Sequence, residues 1–171
     1  WLPLLEEGSE AILINASGCA PMVKEYGRLL ADDPVYAEKA ARVAAAARDA
    51  SEFVQRLDLS PLPGAGGRRV AFHAPCTLQH GQKLNGVVES LLTKAGFELT
   101  QVENPHLCCG AAGTYTLLQP TISRRLRADK LGALQQGEPG EIATANIGCL
   151  LHLEAGAQVP VRHWLELLDE L

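Results

Sequence analysis

The sequence predicts an α/β fold in which a parallel sheet carries helices on both faces. Short apolar, β-branched segments alternate along the chain with segments of helical periodicity, and turns rich in Gly, Pro and Asn separate them. Strands that alternate with helices pair in parallel and are covered on both sides. The 171 residues are enough to build one core, and short segments near the two ends resemble each other, which indicates a repeat.

The first part of the chain predicts one strand followed by two helices. The strand is Glu10–Asn15, which is apolar and β-branched and ends in a loop that carries Cys19. One helix covers Met22–Leu30. A longer helix runs from the start signal Asp33-Pro34 to Leu57, because apolar residues recur along it in steps of three and four.

The second part predicts a regular alternation of strands and helices after a linker, residues 61–67, that is rich in Pro and Gly. The predicted strands are Arg69–His73, Phe97–Val102, Ile142–Ala145 and Val159–Val161. The predicted helices are Asn85–Ala95, Pro120–Leu134, Leu150–Glu154 and Trp164–Leu171.

Two pairs of segments indicate the repeat. Asn15-Ala16-Ser17-Gly18-Cys19 corresponds to Asn146-Ile147-Gly148-Cys149 with one residue fewer, and Asp49–Val54 corresponds to His163–Leu168. We interpret residues 1–60 as the C-terminal part of a first cysteine-rich repeat and residues 68–171 as a complete second repeat. Because the chain begins at Trp1 and not at a methionine, we interpret it as part of a longer polypeptide.

Composition excludes several classes of function. The net charge is -5 and the pI is near 5.5, and no basic run offers a surface to phosphates, so no nucleic-acid partner is expected. The longest apolar stretch lies around Ala44–Ala47, far below the about 20 residues that span a bilayer, which predicts a soluble chain. The five cysteines lie at long spacings and no secretory leader is visible. We therefore expect a protein without a disulfide framework, in the reducing cytoplasm.

Four of the five cysteines are the strongest sign of chemistry. They are Cys76, the adjacent pair Cys108-Cys109 followed by Gly110, and Cys149. A disulfide within the pair is disfavoured, because neighbouring Cα atoms lie about 3.8 Å apart and unstrained disulfides need about 4.4–6.8 Å. Each cysteine follows a predicted strand, so we expect all four at the carboxyl edge of the sheet.

Convergence at that edge favours metal binding. Helix N-termini there stabilise thiolate, the form that binds metal, and Gly110 permits a tight turn beside the sulfurs. Several soft ligands in a reducing compartment suit an iron–sulfur cluster or zinc. The alternative is a set of buried cysteines that serve as small apolar residues.

Three further side chains lie near the cysteines in sequence. His152 comes three residues after Cys149, on the same side of a helical turn, and is a candidate metal ligand. His73 comes three residues before Cys76, where it donates to a sulfur or carboxylate of a cofactor site or simply ends its strand. Tyr115 follows the Cys-Cys-Gly turn closely enough to contact a bound cofactor, with local packing as the alternative.

A basic cluster on the predicted helix Pro120–Leu134 has two interpretations. Its members are Arg124, Arg125, Arg127 and Lys130. A solvated helix face is the ordinary interpretation of such a cluster, and an acidic partner is the alternative. His80, His106 and His163 have no spacing that favours ligation of a metal.

Three segments resemble a known family. They are His73–Gln82 (HAPCTLQHGQ), Leu107–Tyr115 (LCCGAAGTY) and Ala145–Leu153 (ANIGCLLHL). Together they resemble the cysteine-rich CCG domain that is shared by the heterodisulfide reductase B subunit and several iron–sulfur subunits of flavin-linked dehydrogenases. Over essentially the whole chain they look most like the C-terminal part of bacterial glycolate oxidase iron–sulfur subunits.

The resemblance implies an electron-transfer subunit with an iron–sulfur cluster, of the 4Fe-4S type in the full subunit. It implies flavin-containing partner subunits that oxidise glycolate to glyoxylate and electrons that pass towards quinone. It further implies a cytoplasmic location, with attachment to the inner face of the membrane through the complex left open. The implied metal ligands are Cys76, Cys108, Cys109 and Cys149, and no residue of this chain is implied to be catalytic.

The chain departs from the family pattern at two positions. The common motif ends Cys-x-x-Cys, whereas His152 stands at the last position here, and Met22 stands at the matching position after Cys19. Two other functions therefore remain open. One is the related iron–sulfur subunit of a lactate utilisation system, and the other is a zinc-bound or metal-free module that docks flavin subunits.

Overall fold

The computed structural model of the protein describes residues 1–171, which form six strands and ten α-helices. The strands are β1 (Ile12–Ile14), β2 (Ala47–Asp49), β3 (Arg69–His73), β4 (Glu98–Leu99), β5 (Glu141–Thr144) and β6 (Val161–His163). The helices are α1 (Leu2–Glu6), α2 (Ala20–Lys24), α3 (Tyr26–Leu29), α4 (Ala37–Ala46), α5 (Ala50–Val54), α6 (Val87–Lys94), α7 (Tyr115–Leu118), α8 (Pro120–Gln135), α9 (Ile147–Glu154) and α10 (Trp164–Asp169). A π-helical turn covers Thr77–Gly81.

The main sheet has four parallel strands in the spatial order β4-β3-β5-β6. In its centre Ala71 of β3 pairs with Ile142 of β5. Both central strands are buried along most of their length, as expected of strands that are covered on two sides. A second sheet consists of β1 and β2 alone, which are also parallel.

Helices cover both faces of the main sheet. On one face Phe72 of β3 and Ala143 of β5 belong to a core that includes apolar residues of α5, α6 and α10, with Trp164 fully buried. On the other face Ala71 and Ile142 pack with apolar residues of α8 and α9. The predicted fold class, α/β with a parallel sheet between two helical layers, is therefore confirmed. No helix is both long and apolar enough to cross a membrane.

The single long helix predicted from Asp33 to Leu57 is wrong. The structure breaks this stretch into α4, the short strand β2 and α5. Asp49 has an extended backbone and caps α5: its carboxylate accepts hydrogen bonds from the backbone N–H and the hydroxyl of Ser51, and Glu52 accepts from the Asp49 N–H. Pairing of β2 with β1 fixes the same residues in extended form, so tertiary structure overrides a helical stripe.

Smaller differences concern element boundaries. The predicted helix Met22–Leu30 is split into α2 and α3, and the predicted strand Val159–Val161 lies at Val161–His163. The loop predicted to hold Cys149 is shorter than expected, because α9 begins at Ile147 and places Cys149 in its first turn.

The two segments that correspond in sequence adopt the same local structure and contact each other. Asp49 and His163 are each the last residue of a strand, and each caps the next helix together with a glutamate three residues later. The Ser17 N–H donates to the Ala145 carbonyl oxygen at 2.9 Å, and His163 Nε2 donates to the Asn15 carbonyl oxygen at 2.8 Å. The chain before the linker is thus packed against the carboxyl edge of the main sheet.

Candidate metal centre

The carboxyl edge of the main sheet brings the four cysteines of the second part together. Cys76 follows β3 and precedes the π-helical turn, Cys108 and Cys109 lie in the loop after β4, and Cys149 lies in α9 after β5. These three strands are neighbours in the sheet, so their carboxyl ends are adjacent. The convergence predicted from the sequence is present.

The thiols form a chain of contacts. Cys76 and Cys108, Cys108 and Cys109, and Cys109 and Cys149 lie close enough for each thiol to shift the pKa of the next. The Sγ atoms of Cys109 and Cys149 and a ring nitrogen of His73 all lie within 4.8 Å of one another. All five cysteines of the protein are free thiols.

The exposure of the cysteines decreases from one side of the site to the other. Cys76 is exposed, Cys108 is partly buried, and Cys109 and Cys149 are buried. The cluster therefore extends from solvent into the core between the sheet and helices α8 and α9, where Cys109 and Cys149 pack with Ala71 and Leu153. Cys19 is exposed and lies at the start of α2, outside this chain of thiol contacts.

The thiols of the site differ in pKa. The hydrogen bond with Cys109, followed by burial, raises the pKa of Cys108 far above its usual range. The bond with Cys108 lowers the pKa of Cys109, but the bond with Cys149 and burial outweigh it and raise that pKa to about 12. For Cys149, the bond from Cys109 lowers the pKa more than burial raises it. Cys149 is thus the first sulfur of the buried pair to become thiolate.

Cys76 is the exposed cysteine of the site, and its pKa is also raised. Partial burial of its sulfur raises the pKa of the Cys76 thiol, and the negative charge of Cys108 raises it further. Neighbouring sulfurs have this effect because each negative charge disfavours the next. A cation held among the sulfurs would reverse it.

His73 is the buried imidazole of the site. It is the last residue of β3, its side chain is 1% exposed, and neither ring nitrogen has a hydrogen-bond partner. Burial, followed by the positive charge of Lys130, lowers the pKa of His73 to about 3, so the ring is neutral. Neutral imidazole is the form that coordinates metals, and buried polar atoms without partners are rare in native proteins. His73 therefore fits as a nitrogen donor.

Gly110 makes the close approach of the Cys-Cys-Gly turn to α8 possible. Its φ is +93°, a conformation that favours glycine, and its N–H donates to the Sγ of Cys108 at 3.3 Å. A Cβ at this position would lie 2.5 Å from the carbonyl oxygen of Ser123. The tight turn predicted beside the sulfurs is confirmed.

His152 lies on the other side of that turn. Its Nε2 contacts the Ser123 hydroxyl at 3.2 Å, and the same hydroxyl donates to the Gly110 carbonyl oxygen at 2.8 Å. Burial lowers the pKa of His152. The structure does not bring His152 into the group of His73, Cys109 and Cys149. Its role as a ligand stays a prediction, and here the ring supports the turn through Ser123.

The remaining predicted residues are less central. Tyr115 begins α7 and is partly buried, and its side chain makes no hydrogen bond, so contact with a cofactor stays a prediction. The basic cluster does not form one surface. Arg125 pairs with Asp129, Arg127 donates to the His152 carbonyl oxygen at 3.3 Å, and Lys130 is buried on the inner side of α8.

The donor set fits a thiophilic metal group. It contains four cysteines that converge at the carboxyl edge of a parallel sheet and one neutral imidazole without a partner, which lies within 4.8 Å of the two buried sulfurs. Soft sulfur donors select zinc or iron–sulfur clusters over magnesium or calcium. Asn146 Nδ2 donates to the Cys149 sulfur at 3.6 Å and Gly110 N–H to the Cys108 sulfur, and such bonds tune a metal centre.

Comparisons with known proteins give a consistent result. The sequence pattern of the CCG cysteine-rich domain matches residues 70–154, which contain all four clustered cysteines. Over 170 residues the chain is 50% identical to the glycolate oxidase iron-sulfur subunit of Escherichia coli K12, covering 99% of this chain and 42% of that protein. It is 31% identical over 152 residues to the probable glycolate oxidase iron-sulfur subunit of Bacillus subtilis 168, covering 87% of this chain and 34% of that protein.

A third relative belongs to another system. Lactate utilization protein A of Geobacillus kaustophilus is 28% identical over 171 residues, which cover 94% of this chain and 70% of that protein. The chain thus spans about two fifths and one third of the lengths of the two glycolate oxidase relatives.

Proposed function

Because the chain belongs to the family of CCG cysteine-rich domains, we propose that its thiol cluster is an iron–sulfur centre in an electron-transferring subunit of an oxidoreductase. The observation that carries this proposal is the convergence of four cysteines at the carboxyl ends of three neighbouring strands, where Cys109 and Cys149 lie beside a buried histidine whose ring nitrogens lack partners. A bound cluster would supply one-electron transfer at this position.

The proposed ligands are Cys76, Cys108, Cys109 and Cys149, with His73 as the nitrogen donor nearest to the buried pair. Residues of the chain hold the cysteines in place and limit water around them: the turn at Gly110 aims the adjacent sulfurs, and the apolar core beside α8 and α9 encloses two of the four. Cys76, at the exposed side, is where electrons enter or leave the site. A cluster of the four-iron type is proposed from the family resemblance, since four cysteine donors can hold two-iron and four-iron clusters alike.

The proposed substrate system is glycolate. The support is 50% identity over nearly the whole chain to a glycolate oxidase iron-sulfur subunit, although the chain covers 42% of that relative. We place the subunit beside flavin-containing subunits that oxidise glycolate to glyoxylate, with electrons leaving towards quinone. The five free thiols support a reducing cytoplasm as its location, with any contact with the membrane made through the complex.

The proposed organisation has two repeats. Residues 1–60 are the end of a first cysteine-rich repeat, 61–67 are a linker, and 68–171 are a complete second repeat. The matching caps at Asp49 and His163 support this division, as does the pairing of β1 with only β2, whereas its counterpart β5 has a neighbour on each side.

Two other functions are favoured by particular observations. Similarity to lactate utilization protein A, which extends over 94% of this chain, supports a subunit of a lactate-oxidising system with the same chemistry. The histidine at position 152, where the family pattern has cysteine, supports a zinc-bound or metal-free module that docks the flavin subunits.

The deciding experiment is anaerobic purification followed by measurement of iron, acid-labile sulfide and zinc, with EPR spectra of the reduced sample. Stoichiometric iron and sulfide with a cluster signal are expected. Zinc without iron, or no metal, would remove the iron–sulfur proposal and favour the docking module. Anaerobic addition of glycolate or of lactate to the assembled complex separates the two substrates, because only the true substrate reduces the centre.

A further inference from the structure

Lys130 is a buried cation without a carboxylate partner. It lies in the middle of α8, its side chain is 1% exposed, and it forms no salt bridge. Lysine is almost never fully buried unless a negative group compensates its charge, because removal of an ammonium group from water is costly. The burial of Lys130 therefore requires a compensating partner nearby.

The hydrogen bonds of Lys130 attach it to the loop that leads to the Cys-Cys-Gly turn. Its Nζ donates to the carbonyl oxygen of Pro105 at 2.9 Å and to that of Asn104 at 3.3 Å. Asn104 has a φ of +47°, so the loop is held in a left-handed conformation at the point of attachment. An ammonium has three N–H donors, and these two carbonyl groups use two of them.

The thiol cluster lies beside this part of α8, because Leu131, the next residue of the helix, packs in one buried cluster with Cys109 and Cys149. Burial lowers the pKa of Lys130, and the charges of Cys109, Cys108 and Cys149 oppose this shift. Lys130 in turn acts on His73, which is neutral. Two neutral carbonyl groups do not balance a full charge, whereas thiolates do.

We propose that Lys130 is the counter-cation of the metal–thiolate centre and the residue that positions its Cys108-Cys109 loop. The inference rests on the proposed metal centre and assigns to this side chain a role of its own. A metal group held by four thiolates is anionic, and a fixed positive charge beside it favours its formation and its more reduced state. The two hydrogen bonds from Lys130 Nζ to the carbonyl oxygens hold the loop beside the metal centre.

The matched variants are Lys130→Gln, which keeps N–H donors without the charge, and Lys94→Gln, which removes an exposed lysine in the last turn of α6. Anaerobic titration with Co²⁺ gives the affinity of the thiol site from its absorption bands. We expect about 10–100-fold weaker Co²⁺ binding in Lys130→Gln, the usual effect of removing an outer partner of a metal site. The Lys94→Gln protein should bind as the parent does.

The midpoint potential of the reconstituted iron–sulfur centre gives a readout that loop positioning alone would not move in one fixed direction. It should become more negative in Lys130→Gln and stay unchanged in Lys94→Gln. Equal Co²⁺ affinity and equal potential in Lys130→Gln and the parent would overturn the inference. Failure of the parent protein to bind Co²⁺ would instead overturn the proposed metal centre.

A further variant decides the matter if Lys130→Gln does not fold, as judged by circular dichroism. Lys130→Arg retains the charge and the donors. Folded Lys130→Arg with Co²⁺ affinity within about threefold of the parent supports the charge-based role. A folded Lys130→Arg protein that binds Co²⁺ tenfold more weakly than the parent, or that does not bind Co²⁺ at all, contradicts the charge-based role.

Discussion

His73 and Thr144 are register neighbours at the carboxyl ends of the two central strands, and both carry buried polar atoms without a hydrogen-bond partner. Such atoms cost free energy in a protein that binds nothing there. The two residues differ in chemistry, because an imidazole nitrogen can ligate a thiophilic metal, whereas a threonine hydroxyl is a poor ligand for one.

We expect His73→Leu to raise the stability of the metal-free protein and to weaken its metal site. Removal of two unsatisfied ring nitrogens should increase the free energy of unfolding by about 1–2 kcal/mol, measured by urea denaturation in the presence of a chelator. Iron content or Co²⁺ affinity of the same variant should fall. Thr144→Val is the control, with a similar gain in stability and unchanged metal binding. A less stable metal-free His73→Leu protein would contradict this account of the orphan nitrogens.

Gly110→Ala should destabilise the protein and disrupt the site. The new Cβ would lie 2.5 Å from the Ser123 carbonyl oxygen and 3.1 Å from the Leu126 Cβ, at a residue with φ of +93°. Backbone strain and overpacking together predict a loss of about 2–4 kcal/mol in the free energy of unfolding. In Gly132→Ala, on the open side of the same helix, the Cβ meets nothing within 4 Å, and a gain of about 0.5–1 kcal/mol is expected. Equal stabilities of the two variants would show that the turn can move away from α8.

Cys109→Ser should abolish iron binding, whereas His152→Ala should reduce it only modestly. Cys109 is buried between Cys108 and Cys149, and thiolates supply most of the binding free energy of such centres. His152 contacts Ser123 and therefore affects the Cys-Cys-Gly turn only indirectly. The measurement is iron and sulfide per protein after anaerobic reconstitution. Full iron content in Cys109→Ser, or complete loss in His152→Ala, would reverse the assignment of the two residues.

The cap that His163 forms on α10 should weaken in mild acid. Burial lowers the pKa of His163, although its bond to the Asn15 carbonyl oxygen and the charges of Glu166 and Asp49 oppose this. Its Nδ1 accepts from the Leu165 N–H, which the protonated ring cannot do. A base with a depressed folded pKa contributes stability above about pH 6.5, its unfolded pKa, and loses that contribution as pH falls through the lower folded pKa.

Urea denaturation of the parent and of His163→Asn at several pH values between 7 and 5 measures this contribution. Asparagine retains the ability to cap α10 and does not titrate. We therefore expect a shallower fall in stability with decreasing pH in the variant. Identical slopes would mean that His163 does not sense protonation in the folded protein.

Much of the site could be predicted because its determinants are local in sequence. β3 and β5 end at His73 and Thr144 and lead into turns at Pro75 and Asn146, and a cysteine follows each turn. Once parallel pairing is inferred, the meeting of these cysteines follows from topology alone. The place of His73 beside the buried sulfurs could not be inferred in the same way, because it depends on which face of β3 points towards α8.

Two errors have physical reasons. The stripe from Tyr36 through Val54 satisfies a helical period, yet pairing of Ala47–Asp49 with β1 depends on a segment distant in sequence. A local sign was present in the capping box of Asp49 and Glu52, which marks a new helix start. The basic cluster predicted from the sequence includes Lys130 with three arginines, although its spacing of seven from Ser123 and four from Leu134 puts Lys130 on the buried face of α8.

The gradient of sulfur exposure from Cys76 to Cys149 gives the centre a direction. Dioxygen and peroxide reach a thiol through the same opening as an electron donor, and they reach an exposed sulfur before a buried one. Cys76 should therefore be the first of the four sulfurs to be damaged in air. A partner protein seated over it would protect the centre while exchanging electrons with it, so that assembly of the complex and resistance to oxygen would rise together.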